Sequence, residues 1–163
     1  GEAATDLPFA AQRGRSLGEK RESWNGSLRE QDGRKILPTD TLAAQLMDER
    51  LVGEDPEVLA YVFHDALAAM AAKACIDASV QTGIRTAALS GGCYQNTLLL
   101  ELTQRRLEEA GMQVLVHRLV PPNDGGIALG QAVVAMQALE DRKKMKLHRR
   151  MKSLLIGRKQ QCV

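Results

Sequence analysis

An arrangement that occurs twice constrains this chain most: an apolar run, then a loop carrying two glycines, then a helical pattern. In the first copy, "RTAALSGGCYQNTLLLELTQRRLEEAG", residues 85–90 precede Gly91-Gly92 and residues 96–111 follow. In the second, "MQVLVHRLVPPNDGGIALGQAVVA", residues 112–120 lead to Gly125-Gly126. Short apolar runs read as buried strands, and apolar residues at steps of three and four read as helix faces. Pro121 and Pro122 stop the second run, because proline has no amide to give to a sheet ladder. Strand, loop and helix in tandem give an α/β chain: two neighbouring strands in a small, mostly parallel sheet with helices packed on it. Aromatic residues are only 3% of the sequence, so the core has to be built from Leu, Val, Ile, Met and Ala. Two strands are few for a sheet, which points to part of a larger domain with apolar surface left exposed.

Upstream, "RKILPTDTLAAQLMDERLVG" predicts a short strand at Ile36 and Leu37. A helix then begins near Pro38, with Leu42, Leu46 and Met47 on one face. In "EDPEVLAYVFHDALAAMAAKACIDASVQTG", Asp55 is placed as an N-cap and Pro56 as the first helical residue. Val58, Val62, Phe63, Ala66, Leu67 and Met70 form the buried stripe, and Gly83 ends the helix. Residues 1–34 are Gly-, Ser-, Arg- and Glu-rich without a sustained period. They are expected to be disordered or the truncated edge of something larger, with Trp24 a stray or partner-facing residue. Order is expected over 35–141.

The net charge of +2 hides an asymmetry. Residues 142–163 carry nine Lys/Arg and no acid, while the rest holds thirteen basic and twenty acidic groups, a net of −7. The basic tail is expected to be helical or disordered. Without interleaved aromatics to stack bases, nucleic acid is not its expected partner. No apolar run approaches the roughly 18–20 residues that span a bilayer, and the first twenty residues hold no continuous hydrophobic segment, so no membrane association is expected. Three cysteines, Cys75, Cys93 and Cys162, form neither a CxxC pair nor an even set. A reducing, cytoplasmic compartment is the expectation.

Ligands of open α/β sheets bind beyond the carboxyl ends of the strands, where both glycine loops lie. Glycine there permits positive φ and lets a ligand approach without meeting a Cβ. The following helix offers unpaired N–H groups and a partial positive charge, which suit a phosphate. Ser90 could add a hydroxyl and Asn96 an amide for a ribose or base edge. Neither the dinucleotide fingerprint GxGxxG nor the P-loop GxxxxGK[ST] is present. A tight strand-to-helix corner therefore remains the alternative for a single Gly-Gly turn. Asp124, next to Gly125 and Gly126, is either a ligand for a divalent cation or the cap of the helix that follows. Cys93 has no histidine nearby in sequence to activate it, Cys75 belongs to an apolar helix, and His64 reads as a packed helix histidine. His117 and His148 read as bystanders. No catalytic residue is assigned.

"LSGGCYQNTLLLE", "VPPNDGGIALGQAVVA" and the upstream "FHDALA", in this order and separation, resemble the C-terminal end of the hydrogenase-maturation carbamoyltransferases, the HypF family. The resemblance covers residues 35–139. It implies a partial subdomain of the actin/hexokinase/Hsp70-type (ribonuclease H-like) ATPase fold, akin to the enzymes that add threonylcarbamoyl groups to tRNA. It also implies chemistry in which carbamoyl phosphate and ATP give a carbamoyl-adenylate, and the carbamoyl group passes to the C-terminal cysteine of a HypE-type acceptor. Ser90, Gly91, Gly92 and Asn96 match the family's nucleotide-binding loop. Asp124 matches a metal-holding carboxylate for Fe, Zn or Mg, and Gly125 and Gly126 match the loop around it. The family's upstream domains and paired metal-binding histidines have no counterpart here, so the chain is expected to be a C-terminal fragment, inactive or weakly active by itself. Two rivals stay open: a related carbamoyl- or threonylcarbamoyl-transferase, and a non-catalytic module that binds RNA or a partner through the basic tail.

Overall fold

The computed structural model describes the backbone of residues 4–159 and the side chains of residues 5–148. The chain divides into two compact units, Gly1–Asn123 and Asp124–Val163.

Helix α3 (Pro56–Thr82) organises the first unit, and its ends follow from local chemistry. The Asp55 carboxylate accepts from the Glu57 amide, Pro56 opens the first turn, and Gly83 closes the helix in left-handed backbone at φ 74°. Small residues line its buried surface, Ala60, Ala66, Ala68, Ala69 and Ala72 among them, so neighbouring helices come close. By length and composition α3 would reach across a bilayer, contrary to the sequence expectation; half of that apolar window is buried inside the protein. Here it is the core helix.

Helix α1 (Leu7–Gly18) lies along α3 in the most extensive contact of the fold. Two glycines permit that approach. A Cβ on Gly14 would overlap the Glu57 carbonyl, and one on Gly18 would run into the Tyr61 ring. After α1, Ser23 Oγ donates to Asp65 at 2.5 Å, and Arg106 donates both to Asp65 at 2.5 Å and to Ser23 at 2.8 Å. This polar trio ties the segment to α3. Residues 7–24 are therefore structured, where the sequence reading offered disorder or the truncated edge of something larger over 1–34. The face of α1 turned to α3 is built of small residues, Ala11, Gly14 and Gly18, and a half-buried ion pair holds the chain that follows. Trp24, expected as a stray or partner-facing residue, packs half-buried against the Leu42, Ala66 and Met70 cluster.

A hairpin follows, with β1 (Arg29–Gln31) paired antiparallel to β2 (Arg34–Ile36). Its two-residue turn places Asp32 and Gly33 at φ 50° and 71°. That backbone suits the twist of a hairpin, and Asp-Gly is its sequence signature. Helix α2 (Thr39–Leu51) contributes Leu42 to the core, but Met47 is 67% exposed rather than on the buried face.

The alternation read from the sequence appears as β3 (Thr86–Leu89), α4 (Thr97–Glu109) and β4 (Gln113–Val116). The two strands pair in parallel, from Thr86 opposite Gln113 to Leu89 opposite Val116. Leu89, Leu107, Met112 and Ala87 close the core between sheet and helices. Each large apolar side chain buried here contributes on the order of 1.5–3 kcal/mol. The second run, expected as a strand over 112–120, stops at Val116, since its ladder cannot outlast a partner that turns away at Ser90. The sheet is thus one parallel pair, and the antiparallel hairpin stands apart from it.

In the second unit, a 3-10 turn at Asp124–Gly126 opens into α5 (Ile127–Lys159), so the basic stretch is helical as far as Lys159. Cys162 and the side chains beyond His148 lie outside the described residues.

Candidate functional site

The seven residues from Ser90 to Asn96 connect the carboxyl end of β3 to the first turn of α4. Gly91 has φ 101° and ψ 161°, backbone that a side chain rarely adopts, and a Cβ there would meet nothing within 4 Å. Only glycine reaches this conformation without strain, and the space beside it is open. Its amide donates to the Pro122 carbonyl at 2.8 Å, which ties the loop to the segment after β4. Gly92 begins a short 3-10 turn and is exposed, and the Tyr94 amide bonds back to the Gly91 carbonyl at 3.1 Å.

Each end of the loop meets a histidine. At the start, Ser90 Oγ and His117 Nε2 share a hydrogen bond of 2.8 Å on the surface. At the end, the Asn96 amide nitrogen lies 2.7 Å from His64 Nε2, and His64 is 2% exposed. The Asn96 carboxamide oxygen accepts from the Leu99 amide at 3.1 Å, the N-cap of α4. His64 Nδ1 lies 2.7 Å from the Ala60 carbonyl. Burial pushes the His64 pKa below the ordinary imidazole value, against the partial opposition of that backbone bond. Asn96 also lines a cleft of about 570 Å³ with Pro8, Phe9, Gln12 and Thr97, a size that admits a nucleoside.

Asp124, Gly125 and Gly126 form the 3-10 turn before α5, with Asp124 exposed. The positive φ anticipated for loop glycines is met at Gly91, while Gly125 and Gly126 take 3-10 backbone. No group of three or more His, Cys, Asp or Glu among the described residues is placed to hold a metal ion. Asp124 is one carboxylate, and a divalent cation needs several more ligands. Cys93 is exposed and free. Burial raises the pKa of the Cys75 thiol, which keeps it protonated and inert.

His117 is the residue that sequence reasoning missed. Its signal was register: β3 and β4 pair at a constant offset of 27 positions, so Ser90 and His117 are the next pair beyond Leu89 and Val116.

Fold and loop together define a class: a small α/β subdomain whose parallel strands run out into two glycine-bearing segments. The chain belongs to the carbamoyltransferase family, and the model of its Kae1-like domain, second subdomain, matches residues 1–131. Carbamoyltransferase HypF2 of Cupriavidus necator is 51% identical over 76 residues, covering 46% of this chain and 9% of that protein. Carbamoyltransferase HypF of Rhodobacter capsulatus is 39% identical over 100 residues, covering 60% of this chain and 13% of that one. The crystal structure of full-length HypF in the phosphate- and nucleotide-bound form superposes with a TM-score of 0.67 and 30% identity, over 73% of this chain and 16% of that chain. HypF of T. kodakarensis superposes with a TM-score of 0.64 at 24% identity, over 86% of this chain and 17% of that chain, a likeness of fold. The chain therefore spans a small part of the length of its relatives.

Proposed function

We propose that this chain supplies part of the nucleotide site of a carbamoyltransferase acting in hydrogenase maturation. In this reading it is one portion of an actin/hexokinase-like ATPase domain. The observation that carries it is the Ser90–Asn96 loop: left-handed Gly91 beyond the end of a parallel strand, open space where a Cβ would stand, and a helix start directly after. A backbone turn of this kind accepts a phosphate, and the first turn of α4 adds its partial positive charge. One full-length relative was crystallised with phosphate and nucleotide bound, which supports the assignment.

In the reaction proposed for the whole enzyme, water releases phosphate from carbamoyl phosphate, and the resulting carbamate oxygen attacks the α-phosphorus of ATP, giving carbamoyl-adenylate as pyrophosphate leaves. The enzyme then transfers the carbamoyl group to the C-terminal cysteine of a HypE-type acceptor. In the transfer, a C–S bond forms, the C–O bond to the AMP phosphate breaks, and the thiol proton leaves. Gly91 and Gly92 would face the phosphate, Ser90 would donate to it, and Asn96, its carboxamide held by His64 and the Leu99 amide, would offer its second amide hydrogen to the ribose or base. Asp124, with Gly125 and Gly126 shaping its turn, would lend one ligand to a divalent ion. The described residues do not hold such an ion by themselves, so this chain's own part is to bind and orient the nucleotide. The setting proposed is the cytoplasm.

Titration calorimetry of the 163-residue chain with ATP tests the reading. Binding that weakens about tenfold or more in Gly92→Val is expected, since the added side chain would fill the phosphate approach. Equal affinity in that variant, or binding to RNA in place of ATP, would overturn the assignment.

A further inference from the structure

His64 is buried, titratable and unused by the function proposed above. Its hydrogen bonds nonetheless dictate those of a loop residue. The Ala60 carbonyl can only accept, so His64 Nδ1 at 2.7 Å carries the ring proton. The neutral ring then presents a lone pair at Nε2, and the group 2.7 Å from it has to donate. That places the nitrogen end of the Asn96 carboxamide on His64 and the oxygen end on the Leu99 amide at 3.1 Å. Turning the amide end for end would set lone pair against lone pair at His64 and N–H against N–H at Leu99. Two hydrogen bonds would become two repulsions.

Capping alone does not require this. An N-cap asparagine uses only its oxygen and leaves its nitrogen to water. Here the nitrogen is committed to a ring that is 2% exposed and held edge-on by Phe63, with ring centroids 5.7 Å apart. Asn96 is also the last residue of the loop, and its own amide bonds back to the Cys93 carbonyl at 3.2 Å. Its side-chain orientation therefore bears on both the helix start and the loop.

We propose that His64 is the positioning residue for Asn96: by accepting from its carboxamide, it holds that side chain in the one orientation that caps α4 and fixes the Ser90–Asn96 loop for its ligand. The consequence for ligand affinity rests on the nucleotide reading; the hydrogen bond does not.

The test uses the ¹⁵N-labelled 163-residue chain. Through-hydrogen-bond coupling between Asn96 Nδ2 and His64 Nε2 is expected, together with the nitrogen shifts of a ring protonated at Nδ1. In His64→Leu, which offers no acceptor, the two Asn96 amide protons should move toward solvent values. In His64→Gln, whose carbonyl can accept, they should stay apart. ATP affinity by calorimetry should fall about tenfold in His64→Leu and stay within about threefold of the starting chain in His64→Gln, the scale of one lost hydrogen bond. Absence of the coupling, unchanged Asn96 signals in His64→Leu, or equal losses in both variants would overturn the proposal. If His64→Leu unfolds, the coupling in the unmodified chain and the behaviour of His64→Gln decide. A chain that shows the coupling but binds no ATP removes the nucleotide reading and leaves the positioning role standing.

Discussion

The loop from Ser90 to Asn96 is held by a histidine at each end, and the two ends differ in almost every physical respect. His117 meets Ser90 on the surface, where water can replace either partner. His64 is buried where it meets the half-buried Asn96, and its ring nitrogens find their partners within the protein. The same side chain thus serves an adjustable contact at the start of the loop and a fixed one at its end. One end is free to answer a ligand; the other sets the frame in which it answers.

Between the two ends sits Gly91, and breaking the loop there should have the largest effect. Gly91→Ala forces a side chain into backbone at φ 101°, and since the new Cβ meets nothing, the cost is conformational, about 1–3 kcal/mol in urea unfolding. An unchanged midpoint would mean that the loop relaxes to another shape. The buried end should then reveal itself through acid. His64 is held below its ordinary pKa, so the unfolded chain binds its proton first as pH falls. Stability should be fully present above the unfolded value near 6.5 and decline as pH drops toward the folded value. Thermal melts across that range should show this slope, and His64→Gln should flatten it. A slope surviving the substitution would place the titration elsewhere. The exposed end should show least: His117→Ala should change stability by no more than about 0.5 kcal/mol. A larger loss would make the two ends alike and dissolve the contrast.

Parts of this were legible in the sequence because they depend on neighbours along the chain. Asp55, Pro56 and Gly83 announce the ends of α3 by chemistry acting over a few residues. The strand–glycine–helix order gave the parallel pair and the loop at its end. Long-range features were hidden. Ser90 and His117 are brought together by sheet register, and His64 and Asn96 by the packing of α3 against the start of α4. Helix α1 escaped because its buried residues are Ala11, Gly14 and Gly18, which carry almost no hydrophobic signal. The Asp32-Gly33 turn has its signature in the sequence, but the strand before it is entirely polar and carries no hydrophobic alternation to mark a hairpin.

The glycines that let α1 touch α3 bear on how this domain can be handled. With no side chains to act as spacers, α1 is a wedge driven to backbone depth, and it shields Ala60, Tyr61 and Ala68 from water. Any shortened version has to keep that wedge, because removing it would open Ala60, Ala68 and the face of the Tyr61 ring to water.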